Sequence, residues 1–304
     1  MKYLLALRPV NLIIIGLLQW IFYHRFIFNL SVHYKLESLF SGHRIIFFIL
    51  VSMFLAASGY LINDYIDFQA DISNNKSHRL SSRSTILSLY FATLIPAYAL
   101  AYYLAWIIGN PLLSIIFILA AAALFWYAIK LKGTSIYGNL LVAIFCTLGI
   151  VIIPMSEYRL LSQIKAIDPS QYGHTLSIFI AYSAFAFLLT MLREVVKDIE
   201  DIEGDHAFGL KTFPIVHGIP RAKILAVFNG VMLFAFMIIC TFYFPAFRQN
   251  VYLVIGSALI SFLILILMIL LYFAQSKNQY SRISTFSKII MLAGICYLIN
   301  LPWT

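Results

Sequence analysis

Along this chain, apolar residues run in blocks of about 20, separated by short polar stretches. A helix needs about 20 mainly apolar residues to cross the hydrocarbon core of a bilayer. Nine blocks meet that length, at about 10–30, 43–62, 85–108, 111–130, 136–156, 174–195, 222–244, 250–273 and 284–303. The connections differ in kind. Gly109-Asn110-Pro111 predicts a tight turn between two helices, whereas the segments around 63–84 and 196–221 are longer, polar and rich in charge. The pattern predicts an all-α, multi-pass membrane protein. The basic start and long apolar run at the N-terminus have no small-x-small cleavage site, which predicts a first span that is retained.

Composition closes off the alternatives. Hydrophobic residues make up 62% of the 304 and charged residues 11%, with a mean hydropathy of +0.92. A soluble domain needs about a quarter of its residues charged, and a disordered chain cannot be so apolar. Cys146, Cys240 and Cys296 stand far apart inside apolar blocks, with neither zinc nor disulfide spacing, and read as packed thiols. The seven histidines have no ligand spacing either. The net charge of +9 does not imply a nucleic-acid partner, because the basic residues sit mostly between apolar blocks, where they orient a membrane protein. Of 21 Lys and Arg, fifteen fall at the N-terminus and after spans two, four, six and eight, and six fall after the odd-numbered spans. That bias predicts a cytoplasmic N-terminus and, with nine spans, a C-terminus on the opposite side.

The chain has only twelve acidic residues, and nine of them fall in two short segments on the predicted cytoplasmic face. Asp64, Asp67 and Asp71 stand at i, i+3 and i+7, within about 60° of one another on a helix. Asp198, Asp201 and Asp205 repeat that spacing, and Glu194 joins their face one turn earlier. Carboxylates about 6 Å apart repel by roughly 3 kcal/mol per pair at an effective dielectric of about 20. Divalent cations relieve that repulsion, and all-oxygen ligands favour Mg²⁺. Lys76, Arg79, Lys130, Lys132, Arg193, Lys197 and Lys211 accompany the acids on the same face. Carboxylates, Mg²⁺ and cations together describe a site for a diphosphate, whose hydrophobic chain extends between the helices. Trp126 and Tyr127 fit an interfacial aromatic belt, Tyr60 and Phe68 are candidates to line the chain's path, and Gly204 and Gly209 read as hinges in a loop over the site.

Asn63-Asp64-Tyr65-Ile66-Asp67-Phe68-Gln69-Ala70-Asp71 reads NDxxDxxxD, followed by Asn75-Lys76 and Arg79. It resembles the first aspartate motif of the UbiA superfamily of intramembrane prenyltransferases. Arg193-Glu194 through Lys197-Asp198-Ile199-Glu200-Asp201-Ile202-Glu203-Gly204-Asp205, with Gly209, Lys211-Thr212 and Pro214 beyond, resembles the second. Arg8-Pro9 with Asn11, and Gly138-Asn139, add to the likeness. Two features depart from the family's pattern. Ser77-His78-Arg79-Leu80 lacks the usual prolines. The family often places a lysine four residues after a tyrosine in the loop after span four, whereas Tyr127 here is followed by Lys130 at three and Lys132 at five, so both lysines stand as candidates.

The resemblance implies one domain over 1–304, with nine helices around a central cavity: two four-helix halves, about 10–130 and 136–273, and a ninth helix at 284–303. It implies two Mg²⁺ ions held by Asn63, Asp64 and Asp67 on one side and Asp198 and Asp201 on the other, with Asp71 and Asp205 a turn further on. The ions and cations would grip a prenyl diphosphate donor, and Tyr60, Phe68 and Tyr127 would line the pocket. The second motif most resembles that of geranylgeranylglycerol-phosphate geranylgeranyltransferases, which alkylate a hydroxyl to build ether lipids. Hydroxybenzoate, naphthoate and homogentisate prenyltransferases carry related motifs, so an aromatic acceptor is the alternative. From other classes, a cation-coupled transporter would use the acids as ion ligands, although such sites lie near the bilayer midplane rather than at helix ends. A non-catalytic membrane scaffold would have no need of them.

Overall fold

The structure, a computed structural model, describes residues 2–73, 82–243 and 250–301, with side chains except those of residues 2, 4 and 69–73. Among the described residues nine helices are long and apolar enough to cross a membrane: Pro9–Tyr34, Arg44–Phe68, Arg83–Ile108, Pro111–Leu131, Tyr137–Ser156, Pro169–Glu200, Ile219–Tyr243, Val251–Phe273 and Lys277–Ile299. The chain is a multi-pass membrane protein of the all-α class. Several helices outrun their apolar blocks because their ends are capped by polar groups. Asp168 accepts a hydrogen bond from the Gln171 N–H at 2.9 Å and Pro169 opens the helix, so the sixth span starts before residue 174. A capping box between Ser276 and Gln279 starts the ninth span at Lys277.

The same extension carries the aspartates. The apolar pattern ends the second span near residue 62, yet its helix runs unbroken from Arg44 to Ser73. Asn63, Asp64 and Asp67 therefore ride the last turns of a transmembrane helix, and the backbone of Asp71 continues it. In the sixth span the helix holds Asp198 but ends at Glu200. Asp201 departs from helical geometry (φ −96°, ψ 6°), and a separate short helix, Ile202–Ala207, carries Asp205. The expected helical repeat of Asp198, Asp201 and Asp205 is thus broken at its middle member. Gly209 takes a left-handed φ of +67° that a side chain would strain, as a hinge requires, whereas Gly204 lies inside the short helix.

Two compact units make up the chain. Met1–Lys132 with Ile152–Ile167 forms one, and Gly133–Val151 with Asp168–Thr304 the other, so the fifth span divides between them. In the first unit the second span packs against the first, third and fourth. Glu157, at the end of the fifth span, is fully buried there. Its carboxylate accepts hydrogen bonds from Ser38 Oγ (2.6 Å), Phe40 N (3.0 Å) and Leu39 N (3.1 Å). In the second unit, spans six to nine close a ring, six on seven, seven on eight, eight on nine and nine on six. Its core is aliphatic, with Leu189, Leu192, Leu233, Ile264 and Ile290 buried. Glycines set the spacing: a Cβ on Gly230 would meet Met268, and one on Gly256 would meet Tyr297, each at 2.7 Å.

Candidate active site

In the first unit, Asn63, Asp64 and Asp67 lie half-buried at the end of the second span, and basic side chains from other spans meet them. Arg8 Nη2 donates to Asp64 Oδ1 at 2.8 Å. Its guanidinium carbon also stands 4.7 Å from the centre of the Tyr60 ring, whose hydroxyl accepts from Asn11 Nδ2 at 3.3 Å. Arg8 itself is left-handed (φ 54°, ψ 58°) at the residue before Pro9, a conformation costly for a side chain with a Cβ. Strain of this kind is held only where surrounding contacts over-determine it, and here the ion pair and the ring do so.

Asp67 has two partners. Asn63 Nδ2 donates to its Oδ2 at 3.3 Å, and Lys132 Nζ forms an ion pair with the same oxygen. Lys132 gets there through the winding of the fourth span. Tyr127–Leu131 is a turn of π-helix, closed by the Lys132 N–H bonding the Tyr127 carbonyl five residues back at 2.8 Å. The wider turn absorbs one residue, so the fifth position after Tyr127 takes the place expected of the fourth. Lys130 is exposed. Of the two candidate lysines, Lys132 is the one brought to the acids.

In the second unit, Asp198 Oδ2 accepts from Asn139 Nδ2 at 2.8 Å, and Asn139 is itself 7% exposed, at the start of the fifth span. One turn earlier on the sixth span, Arg193 Nη1 forms an ion pair with Glu194 Oε1. Cys146, seven residues beyond Asn139 on the fifth span, lies within electrostatic reach of Glu194 and Arg193. One face of the sixth span, Asp198 and Glu194, thus runs along Asn139 and Cys146. The loop beyond is pinned by the Lys211 N–H, which bonds the Gly133 carbonyl at 2.7 Å. Gly133 is left-handed (φ +82°), and a Cβ there would meet Leu210 at 2.7 Å. The Lys211 side chain is exposed, and Lys197 is half-buried. The side chains of Asp71, Lys76 and Arg79 lie outside the described residues.

Among the buried atoms without a partner in the described residues are Asn63 Oδ1 in the first unit and Arg193 Nε in the second. A buried amide oxygen is costly unless something satisfies it. An amide oxygen one helical turn from a carboxylate is also a ligand pair of the kind Mg²⁺ accepts. Among the described residues no three acids, histidines or cysteines form a ready-made cage. The donors suit an ion that shares its coordination with substrate phosphates. Of the expected pocket residues, Tyr60 adjoins Arg8 and Tyr127 opens the π-turn, while Phe68 packs against the buried cluster of Ala6, Leu61 and Ile86. Arg8 and Asn139 were visible in sequence only as Arg-Pro-x-Asn and Gly-Asn; their partners are 56 and 59 residues away.

Comparison with known proteins agrees with this geometry. The model of the UbiA prenyltransferase family matches residues 30–291. A digeranylgeranylglyceryl phosphate synthase from Methanosphaera stadtmanae is 30% identical over 240 residues, covering 77% of this chain and 79% of that protein. Its namesake from Methanobrevibacter smithii is 28% identical over 225 residues, covering 72% and 74%. Among solved structures, one described as a digeranylgeranylglyceryl phosphate synthase in membranes shares the fold, with a TM-score of 0.62 at 24% identity over 99% of this chain and 98% of that one. A UbiA homolog from Archaeoglobus fulgidus, bound to GPP and Mg²⁺, has a TM-score of 0.61 at 16% identity, covering 98% and 99%.

Proposed function

The chain belongs to the UbiA prenyltransferase family, and on that premise we propose that it transfers a geranylgeranyl-type group from its diphosphate to the hydroxyl of a glycerol-phosphate ether lipid. The observation that carries this reading is the way the acids are held. Asp64 is paired with Arg8, Asp67 with Lys132, and Asp198 with Asn139, while the amide oxygen of Asn63 finds no partner among the described residues. Cations and donors already gathered on carboxylates suit a site that receives a polyanion together with its counter-ions. The similarity to digeranylgeranylglyceryl phosphate synthases supports the acceptor class.

Asn63, Asp64 and Asp67, with Asp71 beyond them, would hold one magnesium ion, and Asp198, Asp201 and Asp205 a second. When bound, the ions neutralise the diphosphate oxygens and make the diphosphate a better leaving group. The protein's own part is binding and orientation. With ions held by these acids, Arg8 and Lys132 would be free to turn toward the diphosphate, where their charge would stabilise the departing oxygen. Tyr60 keeps the Arg8 guanidinium over its ring during that exchange. Lys76, Arg79, Lys197 and Lys211 add positive potential around the polar end of the donor. As the C1–oxygen bond of the donor breaks, the acceptor hydroxyl oxygen bonds to C1, and the apolar helices keep water from intercepting the cation. The excess of Lys and Arg in the connections after even-numbered spans supports a cytoplasmic site and N-terminus, with the C-terminus opposite.

The reading is tested by giving purified protein labelled geranylgeranyl diphosphate and Mg²⁺ with geranylgeranylglycerol phosphate, or with hydroxybenzoate, naphthoate or homogentisate. Labelled ether lipid is the expected product. Label appearing on an aromatic ring, and not in the ether lipid, would replace this acceptor with an aromatic one. Movement of a cation into liposomes without consumption of the donor would put the protein in another class.

A further inference from the structure

Making an ether from an alcohol leaves a proton to be removed. As the hydroxyl oxygen bonds to the allylic carbon it becomes an oxonium, whose proton goes either to the departing diphosphate or to a base of the protein. The sixth span shows one acid placed for that task and not used by the metal site. Glu194 precedes Asp198 by four residues, so it lies on the same face, about 6 Å further from the cytoplasmic end. The Asn139–Asp198 hydrogen bond fixes this face toward the fifth span, and Cys146 of that span lies within electrostatic reach of Glu194. The Glu194 side chain is only 15% exposed, and its helix neighbours Met191 and Val195 are buried.

Arg193 holds the Glu194 carboxylate in an ion pair. Strong basicity is not required of it. The oxonium is far more acidic than a carboxylic acid, so the proton transfers as the carbon–oxygen bond forms. Arg193 also keeps a buried Nε–H with no partner among the described residues, a donor left over for an oxygen of bound substrate.

We propose that Glu194 is the base that accepts the hydroxyl proton of the acceptor during transfer. This rests on the hydroxyl-acceptor reading given above. In the balanced step the acceptor oxygen bonds to C1 of the donor, the C1–diphosphate bond breaks, and the diphosphate leaves with the electron pair. The hydroxyl proton moves to a Glu194 carboxylate oxygen and is lost to water when the products depart.

The test uses full-length protein in detergent with geranylgeranyl diphosphate, Mg²⁺ and geranylgeranylglycerol phosphate. Glu194→Gln is expected to lower ether formation by about a hundredfold or more, the usual range for removal of a positioned base. Donor affinity, measured by calorimetry in the presence of Mg²⁺, should stay within about threefold of the parent, showing that the variant is folded and its donor site intact. Glu194→Ala leaves a space that formate can enter, and added formate is expected to restore ether formation about tenfold or more. A residue that merely balanced the charge of Arg193 would not respond to formate in this way. Ether formation within about threefold of the parent in Glu194→Gln would overturn the proposal. So would a Glu194→Ala variant that binds donor normally and ignores formate. A parent protein that binds donor but alkylates no hydroxyl would instead remove the acceptor reading, and that control is run before any variant.

Discussion

The ammonium of Lys132 rests on the carboxylate of Asp67 because the last turn of the fourth span is a π-helix rather than an α-helix. The turn widens by one residue, and the lysine five positions after Tyr127 points where a lysine four positions on would otherwise point. Lys130, two residues earlier, is carried to an exposed position. The two lysines are therefore not equivalent. Lys132→Met is expected to lower prenyl transfer by about a hundredfold, as loss of a charge that stabilises a leaving group does. Lys130→Met should remain within about threefold of the parent, the level of an ordinary surface change. Steady-state rates for the two variants check this, and equal losses would contradict it.

Under the proposed function, Arg8 would compete with metal for Asp64 in the free protein and serve the diphosphate in the loaded one. Arg8→Ala should then change two quantities in opposite directions. The Mg²⁺ concentration giving half-maximal rate falls, because Asp64 no longer has a cation to displace. The maximal rate falls about tenfold or more, because the guanidinium is missing from the leaving group. A magnesium titration of the parent and the variant measures both. A rise in the magnesium requirement would show that Arg8 helps build the metal site rather than exchanging with it.

Glu157 ties the end of the fifth span to the Ser38–Phe40 connection, and burial pushes its carboxyl above its ordinary value of 4.5 despite the hydrogen bonds from Ser38, Phe40 and Leu39 that pull it down. A raised acid binds its proton more tightly folded than unfolded. Its contribution to stability is therefore fully present below the ordinary value and is lost as the pH rises through the raised one. Glu157→Gln sets an amide N–H against the surrounding donors and should destabilise by about 1–3 kcal/mol. Thermal unfolding of detergent-solubilised protein should show the parent's advantage over this variant shrinking from pH 4.5 toward neutrality. A gap that widens with pH would contradict the assignment.

The nine spans were legible because a bilayer demands about 20 apolar residues per crossing, and that demand leaves its mark residue by residue. The carboxylate faces were legible for a similar local reason, since Asp64 and Asp67 lie one helical turn apart. What could not be read was who meets them. Arg8 lies 56 residues from Asp64, Lys132 lies 65 from Asp67, and Asn139 lies 59 from Asp198, so no local periodicity links them. Glu157 was equally silent, an isolated acid whose partner Ser38 is 119 residues away. The break at Asp201 escaped notice because Lys197-Asp198-Ile199-Glu200-Asp201-Ile202-Glu203 contains neither proline nor glycine to signal it. The choice between Lys130 and Lys132 turned on a helix type that local pattern does not distinguish.

The central proposal is that magnesium-dependent binding of a prenyl diphosphate requires both Asp67 on the second span and Asp198 on the sixth. Calorimetric binding of geranylgeranyl diphosphate to the parent, Asp67→Asn and Asp198→Asn, each with Mg²⁺ and with chelator, tests it most directly. The account predicts tight binding by the parent only when Mg²⁺ is present, and a loss of about a hundredfold in each variant, as expected when a charged ligand is removed. Parent affinity retained in either variant, or donor binding by the parent undiminished by chelator, would contradict it.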